Sequence, residues 1–548
     1  MLSALHSTLA PEVAPIVDFR HHWNMFLKYY AKQPLGHKAR PVESTNLALH
    51  LNAMLKILVR EASRDCGGGG GRPEDGGEIS MGPCMECLLD RQVLDVLSSV
   101  CQADVPPGIR PYIYKVFDFI VENIRTQSFL AYVSVYLPVR RLLMLSCAGK
   151  ASPTESQEVA FLAALVARTK TDPGLLLLFA HDSRQTGDGG GSRCRSRSSS
   201  ASADIAHIQK FLESSPDSAC GGGGIGTEVQ SAMSAQREDL FEKLESQHLL
   251  VACLINFLDS ADYMVAFRAM ELLLAVCQTR EETGAAAENA VENTPLCAAL
   301  AERAAALFRA IPPDVDPGSV EETRVNWVEE AHLLQQDQRQ STSQSPPGSS
   351  FQGRSELVRF FCWLDYCDTL AKESAAVISG AVAAALVDDF FVACVEGRLR
   401  DAAADGGAGA SVAVTFLLAF LSQCWVHVRS EALAAEFSTW LFGAPADVTA
   451  HPLRRTLVGL CSSGDQDVCL EALRAFDVLL STRPRDSVLQ CLALSHLADR
   501  GYVDESAAES SIASWSDEED EREMRQNRAV IQSTKSTPKS SPVREYHN

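Results

Sequence analysis

Cys84 and Cys87 form a C-x-x-C pair inside Gly82-Pro-Cys-Met-Glu-Cys-Leu-Leu89. Three kinds of chemistry use that spacing. Zinc takes two thiolates this way, but it needs four ligands, usually from a second C-x-x-C or a nearby histidine pair. The next cysteines downstream, Cys101 and Cys147, each stand alone. A redox dithiol gains from a helix N-terminus, whose free N–H groups lower the pKa of the first thiol, and Pro83 suits a first helical turn. The text before it, however, is glycine-rich and not a βαβ unit. The third use is packing, since buried free cysteine behaves as a small hydrophobe. On a helical wheel Cys84 and Cys87 lie roughly 150° from the centre of the stripe Met85, Leu89, Val93, Val96 and Val100. That opposite face can pack on a neighbouring helix. Packing is the primary reading, with thiol redox chemistry at Cys84 and Cys87 as the alternative.

Other chemical signatures are sparse. The sequence holds no G-x-S-x-G elbow, no G-x-x-x-x-G-K-[ST] loop and no H-E-x-x-H pair. Gly221 to Gly226, GGGGIG, satisfies G-x-G-x-x-G in form but follows SSPDSAC. A dinucleotide site needs a strand, turn and helix there to aim backbone donors at the pyrophosphate. His21 and His22 precede Trp23 on an aromatic helix without ligand spacing, which points to a packing or surface role. The residues therefore assign no catalytic group, no cofactor and no metal. Ser200 ends the basic run RCRSRSSS, a pattern for a basophilic kinase, and Ser514 and Ser516 precede acids, as acidophilic kinases prefer. Phosphate at these three candidate sites would create docking charge; the other reading is a solvated linker and tail.

The surrounding chain must be mostly helix. Of 548 residues 46% are hydrophobic but only 7% aromatic, so alanine and leucine do much of the apolar work, and both favour helices. The net charge of -21 lacks the basic footprint that phosphate contacts need, which argues against nucleic acid and for protein partners. The 17 cysteines sit in apolar segments and no secretory signal opens the chain, which reads as reduced thiols in the cytoplasm. Ser411 to Val428 has no Lys, Arg, Asp or Glu, yet it carries Ser, Thr, Gln and His; AAVISGAVAAALV before Asp388 is short for a span. Both read as buried helices, so membrane association is expected to be peripheral and through partners.

Gly/Ser/Pro-rich text interrupts the helical pattern, because it buries too little apolar area to offset its ordering entropy. The expected organisation is an N-terminal helical region over 1–180 with a loop at 66–80 and a disordered linker over 181–228. A middle helical region over 229–334, a second linker over 335–353 and a helical region over 354–504 follow, then an acidic and Ser/Lys/Pro-rich tail over 505–548. Leu240, Leu244, Val251, Leu254 and Leu258 keep helical rhythm, as do Cys469, Leu473, Phe476 and Leu480. Thr154 with Gln157 predicts a capping box, and Asp172 with Pro173 an N-cap before a first-turn proline. Successive short helices without strands predict an all-α fold, an α-solenoid of stacked antiparallel pairs of the HEAT or armadillo kind. No fixed period is visible, so an irregular helical domain is the alternative.

A set of ordered blocks carries a family resemblance. They include DFRHHWNMFLKYY (Asp18 to Tyr30), GPCMECLL, ADVPPG (Ala103 to Gly108), LPVRRLLML (Leu137 to Leu145), SPTESQEVAFL (Ser152 to Leu162) and KTDPGLLLLF (Lys170 to Phe179). IPPDVDPGSVEE (Ile311 to Glu322), FFCWLDYCDTLAKES (Phe360 to Ser374) and HPLRRTLVGLC (His451 to Cys461) follow. Together they resemble the FHF complex subunit HOOK-interacting proteins, the retinoic-acid-induced-16-like family, and most of all its second subgroup. The resemblance implies a helical, non-enzymatic adaptor that joins Hook proteins and the fused-toes protein. It ties dynein to vesicle cargo, on endosomes or ER–Golgi vesicles, with membrane identity read through a Rab GTPase. It carries over no catalytic residue and assigns no partner contact. Family chains continue into a further C-terminal helical region, which the text after Tyr502 does not resemble. A helical scaffold that has lost Hook assembly is therefore the alternative adaptor reading.

Overall fold

Leucine and alanine at helical spacing produce helices, and no strand, throughout the residues that the computed structural model describes: 14–31, 40–65, 82–123, 129–149, 152–179, 248–280, 284–313, 315–329, 353–405, 407–443 and 451–482. They are α1 (Pro15–Ala31), α2 (Leu47–Asp65), α3 (Pro83–Asp90), α4 (Val93–Ala103), α5 (Arg110–Asn123), α6 (Val133–Ala148), α7 (Glu155–Thr171) and α8 (Leu175–Phe179). Next come α9 (Leu249–Phe257), α10 (Tyr263–Gln278), α11 (Ala285–Glu292), α12 (Leu296–Ala310), α13 (Pro317–Glu321) and α14 (Arg354–Glu373). The last are α15 (Ala376–Ala404), α16 (Ala408–His427), α17 (Glu431–Phe442), α18 (Pro452–Leu460) and α19 (Gln466–Thr482).

The chain forms two compact units, one of residues 1–398 and 423–436, the other of 399–422 and 437–548. In the first, helices two to four apart in sequence lie side by side. One layer runs α2, α5, α7, α10, α14; the other runs α4, α6, α9, α12, α15. Cross-contacts α4–α5, α9–α10 and α12–α14 join the layers, which is how stacked helix pairs bury a continuous core. The array passes directly from α7 to α10 and from α6 to α9, although residues 180–247 separate them in sequence. The core is dense in aromatics where the two layers meet: the Phe390 ring lies 5.7 Å from that of Phe308 and 5.5 Å from that of Phe360. In the second unit α18 packs on α19, Ser411 donates to Asp465, and the rings of Phe442 and Phe476 lie 6.5 Å apart.

Helix starts follow local chemistry at several points. Asp262 Oδ1 accepts the Met264 N–H at 2.9 Å, and Asp316, followed by Pro317 in the first turn, accepts the Ser319 N–H at 3.1 Å. Two predicted starts are made differently. The Thr154 hydroxyl donates to Glu158 Oε1 at 2.5 Å inside the protein, so the backbone carbonyl of Thr154, not its side chain, receives Gln157. After Asp172 the N–H groups of Leu175, Leu176 and Leu177 bond three residues back, a tight turn, and α8 begins at Leu175 rather than Pro173.

Two predicted stripes also change. Met85 to Val100 is not one helix: Gln92 takes φ 49, a left-handed turn that separates α3 from α4. On α19 the buried face is Val468, Ala472, Ala475 and Leu479, while Leu473 and Leu480 of the predicted stripe are exposed. Residues 240–247, which begin the Leu240 rhythm, lie outside the described residues. The segment before Asp388 is longer than its sequence suggested, since α15 continues through an 11-residue π-helical stretch, Leu386–Glu396, to Ala404. It and α16 are long and apolar enough to cross a membrane by length and composition. Burial on α15 is one-sided, however. Val382, Leu386, Phe390 and Val395 face the core and Asp388 and Asp389 face solvent, the pattern of a core helix.

Candidate functional site

Pro83 opens α3 and Gly82 precedes it as the N-cap, without a capping side chain of its own. The cap comes from α2. Glu61 Oε1 accepts the Cys84 N–H at 2.9 Å and Oε2 accepts the Met85 N–H at 3.1 Å. The carboxylate thus occupies the positive end of the helix, where a free N-terminus would otherwise stabilise a thiolate. Its closeness depends on Gly82: a Cβ there would stand 2.3 Å from the Glu61 carboxyl carbon. Burial, then the Glu61 charge and hydrogen bond, push the Cys84 thiol up to about 12. Cys84, Met85, Cys87 and Leu88 are all buried. This counts against the redox alternative at Cys84 and Cys87: the donors that would activate the first thiol are already taken by Glu61, and burial raises its pKa. The segment packs on the neighbouring helices α2 and α1.

The histidines are brought together more than the sequence suggested. His22 Nδ1 lies 2.9 Å from His50 Nδ1 on α2, and His22 Nε2 lies 3.5 Å from Asp18 Oδ1. Burial, then His22 and His21, lower the pKa of His50. Among the described residues no three His, Cys, Asp or Glu side chains are arranged to hold a metal ion. Ser200, Ser514 and Ser516, and Gly221 to Gly226, lie outside the described residues.

Sequence reasoning missed a set of polar side chains that close joints between helices. Arg141 Nη1 reaches from α6 to Asp95 Oδ1 at 3.0 Å, Ser98 Oγ at 2.7 Å and Ser99 Oγ at 3.1 Å on α4. On α14, Asp365 Oδ2 accepts the Trp327 N–H at 3.1 Å. One turn on, Asp368 accepts the N–H groups of Arg429 and Ser430, both at 2.8 Å, and so caps α17. Burial raises the pKa of both aspartates, and the backbone bonds oppose it. Trp363 Nε1–H donates to the Leu300 carbonyl at 3.1 Å and the Tyr366 hydroxyl to the Met270 carbonyl at 3.1 Å. FFCWLDYCDTL, buried nearly all round, therefore binds four other segments of the same unit. The signal available in sequence was the acids within an apolar run, since an acid there must find donors.

Residues 84–497, about three quarters of the chain, match the family model described as Retinoic acid induced 16-like protein. The chain belongs to this family. Arg141, Asp365 and Asp368 all fall within the matched span, and in this family member these buried and half-buried polar side chains tie neighbouring helices together. The same span also turns several large apolar side chains outward. Val133 is 68% and Leu137 is 49% exposed, one turn apart on α6, and Leu177 on α8 is 41% exposed. Between them the Tyr136 hydroxyl donates to the Leu178 carbonyl at 2.9 Å and accepts from Arg140 Nη1 at 2.8 Å, so α6 and α8 present one surface. Exposed apolar clusters of this kind mark interaction surfaces. This one joins LPVRRLLML to KTDPGLLLLF, two of the blocks that carried the resemblance.

Proposed function

We propose that this chain is a non-enzymatic adaptor in a complex with Hook and fused-toes proteins, linking dynein to vesicle or endosome cargo in the cytoplasm. The observation that carries the reading is the family match over 84–497. The helix array supports it: Arg141, Asp365 and Asp368 close internal joints, and apolar positions such as Val133, Leu137 and Leu177 stay exposed for a helical partner. Burial of such side chains, at about 25 cal/mol per Å², is the source of affinity, with no bond chemistry. Membrane contact is indirect, through partners and a Rab GTPase on the cargo.

The test is co-precipitation of the full chain with Hook and fused-toes proteins, beside the double variant Leu137→Glu, Leu177→Glu. Recovery of both proteins with the wild-type chain, and its loss with the folded variant, is the expected result. Recovery of neither by the wild-type chain overturns the adaptor reading in favour of a helical scaffold without Hook assembly. Equal recovery by chain and variant keeps the adaptor and moves the contact elsewhere.

A further inference from the structure

Cys147 and Cys253 stand apart from the other cysteines. Cys147 is the second-last residue of α6 and is half-buried; Cys253 is in the middle of α9 and fully buried. Their Sγ atoms lie 2.8 Å apart. A disulfide bond is roughly 2.05 Å long, so closure asks for a sulfur movement of about 0.8 Å, within the reach of a small χ1 rotation. Each thiol also faces the other helix. Cys253 Sγ–H donates to the Leu143 carbonyl at 3.0 Å, and Cys147 Sγ lies 3.7 Å from the Leu249 carbonyl. Asn256 Nδ2 donates to the Cys147 carbonyl and so fixes the end of α6 against α9. The two sulfurs are therefore held face to face by both backbones. The joint they occupy is the one where the array crosses from α6 to α9 over residues 180–247.

We propose that Cys147 and Cys253 form a reversible disulfide, a redox clamp that joins α6 to α9 when the chain meets a disulfide oxidant such as oxidised glutathione. The accessible Cys147 reacts first. Its thiolate attacks one sulfur of the oxidant, forms a mixed disulfide at Cys147 and releases one glutathione thiolate. Cys253 Sγ, in contact behind it, then attacks the Cys147 sulfur and expels the second glutathione. The two thiol protons end on the two glutathione molecules released; the dithiol has lost two electrons and the oxidant has gained them. Burial holds Cys253 protonated until that second step, so it does not compete as the first nucleophile. The ring closed spans 106 residues, enough to constrain the unfolded chain strongly.

The experiment treats the native full chain with oxidised glutathione, blocks free thiols and digests with trypsin without reductant. Cleavage after Arg141, Lys150, Lys243 and Arg268 puts Cys147 alone on residues 142–150 and Cys253 alone on 244–268. The expected product is these two peptides linked, lost on adding dithiothreitol and absent from Cys147→Ser. Oxidation should also raise Tm by several degrees and slow hydrogen exchange in α9, neither of which Cys147→Ser should show. A Cys147 that stops at the glutathione mixed disulfide, or a pair still reduced after prolonged exposure to the oxidant, overturns the clamp. Both of these outcomes are read on the wild-type chain, so they decide the question even where Cys147→Ser fails to fold.

Discussion

Glu61 on α2 and Cys84 on α3 are joined by a 2.9 Å hydrogen bond from the Cys84 backbone N–H to the Glu61 carboxylate, and Gly82 is the residue that lets them approach. The two ends of this contact are 23 residues apart. It turns a motif that reads as thiol chemistry into a helix cap made by another helix. Glu61→Ala should lower stability by about 1–2 kcal/mol, the size of a lost N-cap. Gly82→Ala should cost a similar amount, because its Cβ displaces the carboxylate. Combined, the two should cost far less than their sum, which a double-mutant cycle in urea unfolding would read directly. Full additivity would show that Gly82 serves some other purpose.

Asp368 offers a second cap, from α14 to α17. Asp368→Ala removes the acceptor from the N–H groups of Arg429 and Ser430. A loss of about 1–3 kcal/mol is expected, most of it from the buried Ser430 donor left without a partner. Faster amide exchange at Arg429 and Ser430 would localise it; unchanged exchange there would refute the capping role.

The pH dependence has a definite sign. Burial lowers the pKa of His248 and His427 to about 4, each from the ordinary histidine value near 6.5. Between those values the unfolded chain binds a proton at each site and the folded chain does not. Stability is therefore lost as pH falls from 6.5 towards 4, by up to about 3 kcal/mol for each histidine. Thermal unfolding from pH 7 to 4.5 should show this slope, and His248→Asn should flatten it. A slope unchanged in that variant would remove His248 from the account.

On α19 the two readings of the apolar face separate cleanly. Leu479→Ala, on the buried face, should cost about 2–5 kcal/mol, whereas Leu473→Ala should stay within about 0.5 kcal/mol. Leu473 is 52% and Leu479 5% exposed. Similar losses at both positions would restore the stripe through Cys469, Leu473, Phe476 and Leu480.

Helix content was legible because it follows from local spacing and propensity. Phe19, Trp23, Phe26 and Tyr30 recur at helical intervals and are all buried on α1. The break at Gln92 was not legible: the apolar positions keep their rhythm across it, and only a left-handed residue turns the chain. The face of α19 failed for a related reason. Both Leu473 and Leu479 are apolar on one amphipathic helix, and the choice between them belongs to the surface they meet. Glu61, Asp365 and Asp368 looked like ordinary acids because their donors lie 23, 38 and 62 residues away.

By itself the sequence determined an all-α chain, where most helices run, and the family, since propensity, periodicity and ordered blocks are carried by residues close together in the chain. Only the tertiary structure decided that Cys84 and Cys87 are buried behind a cap from Glu61, that Cys147 and Cys253 face each other across 106 residues, and which apolar side chains remain outside. Those outcomes depend on which helix lies against which. Layers formed by α4, α6 and α9, and by α5, α7 and α10, bring together residues that no local interval connects.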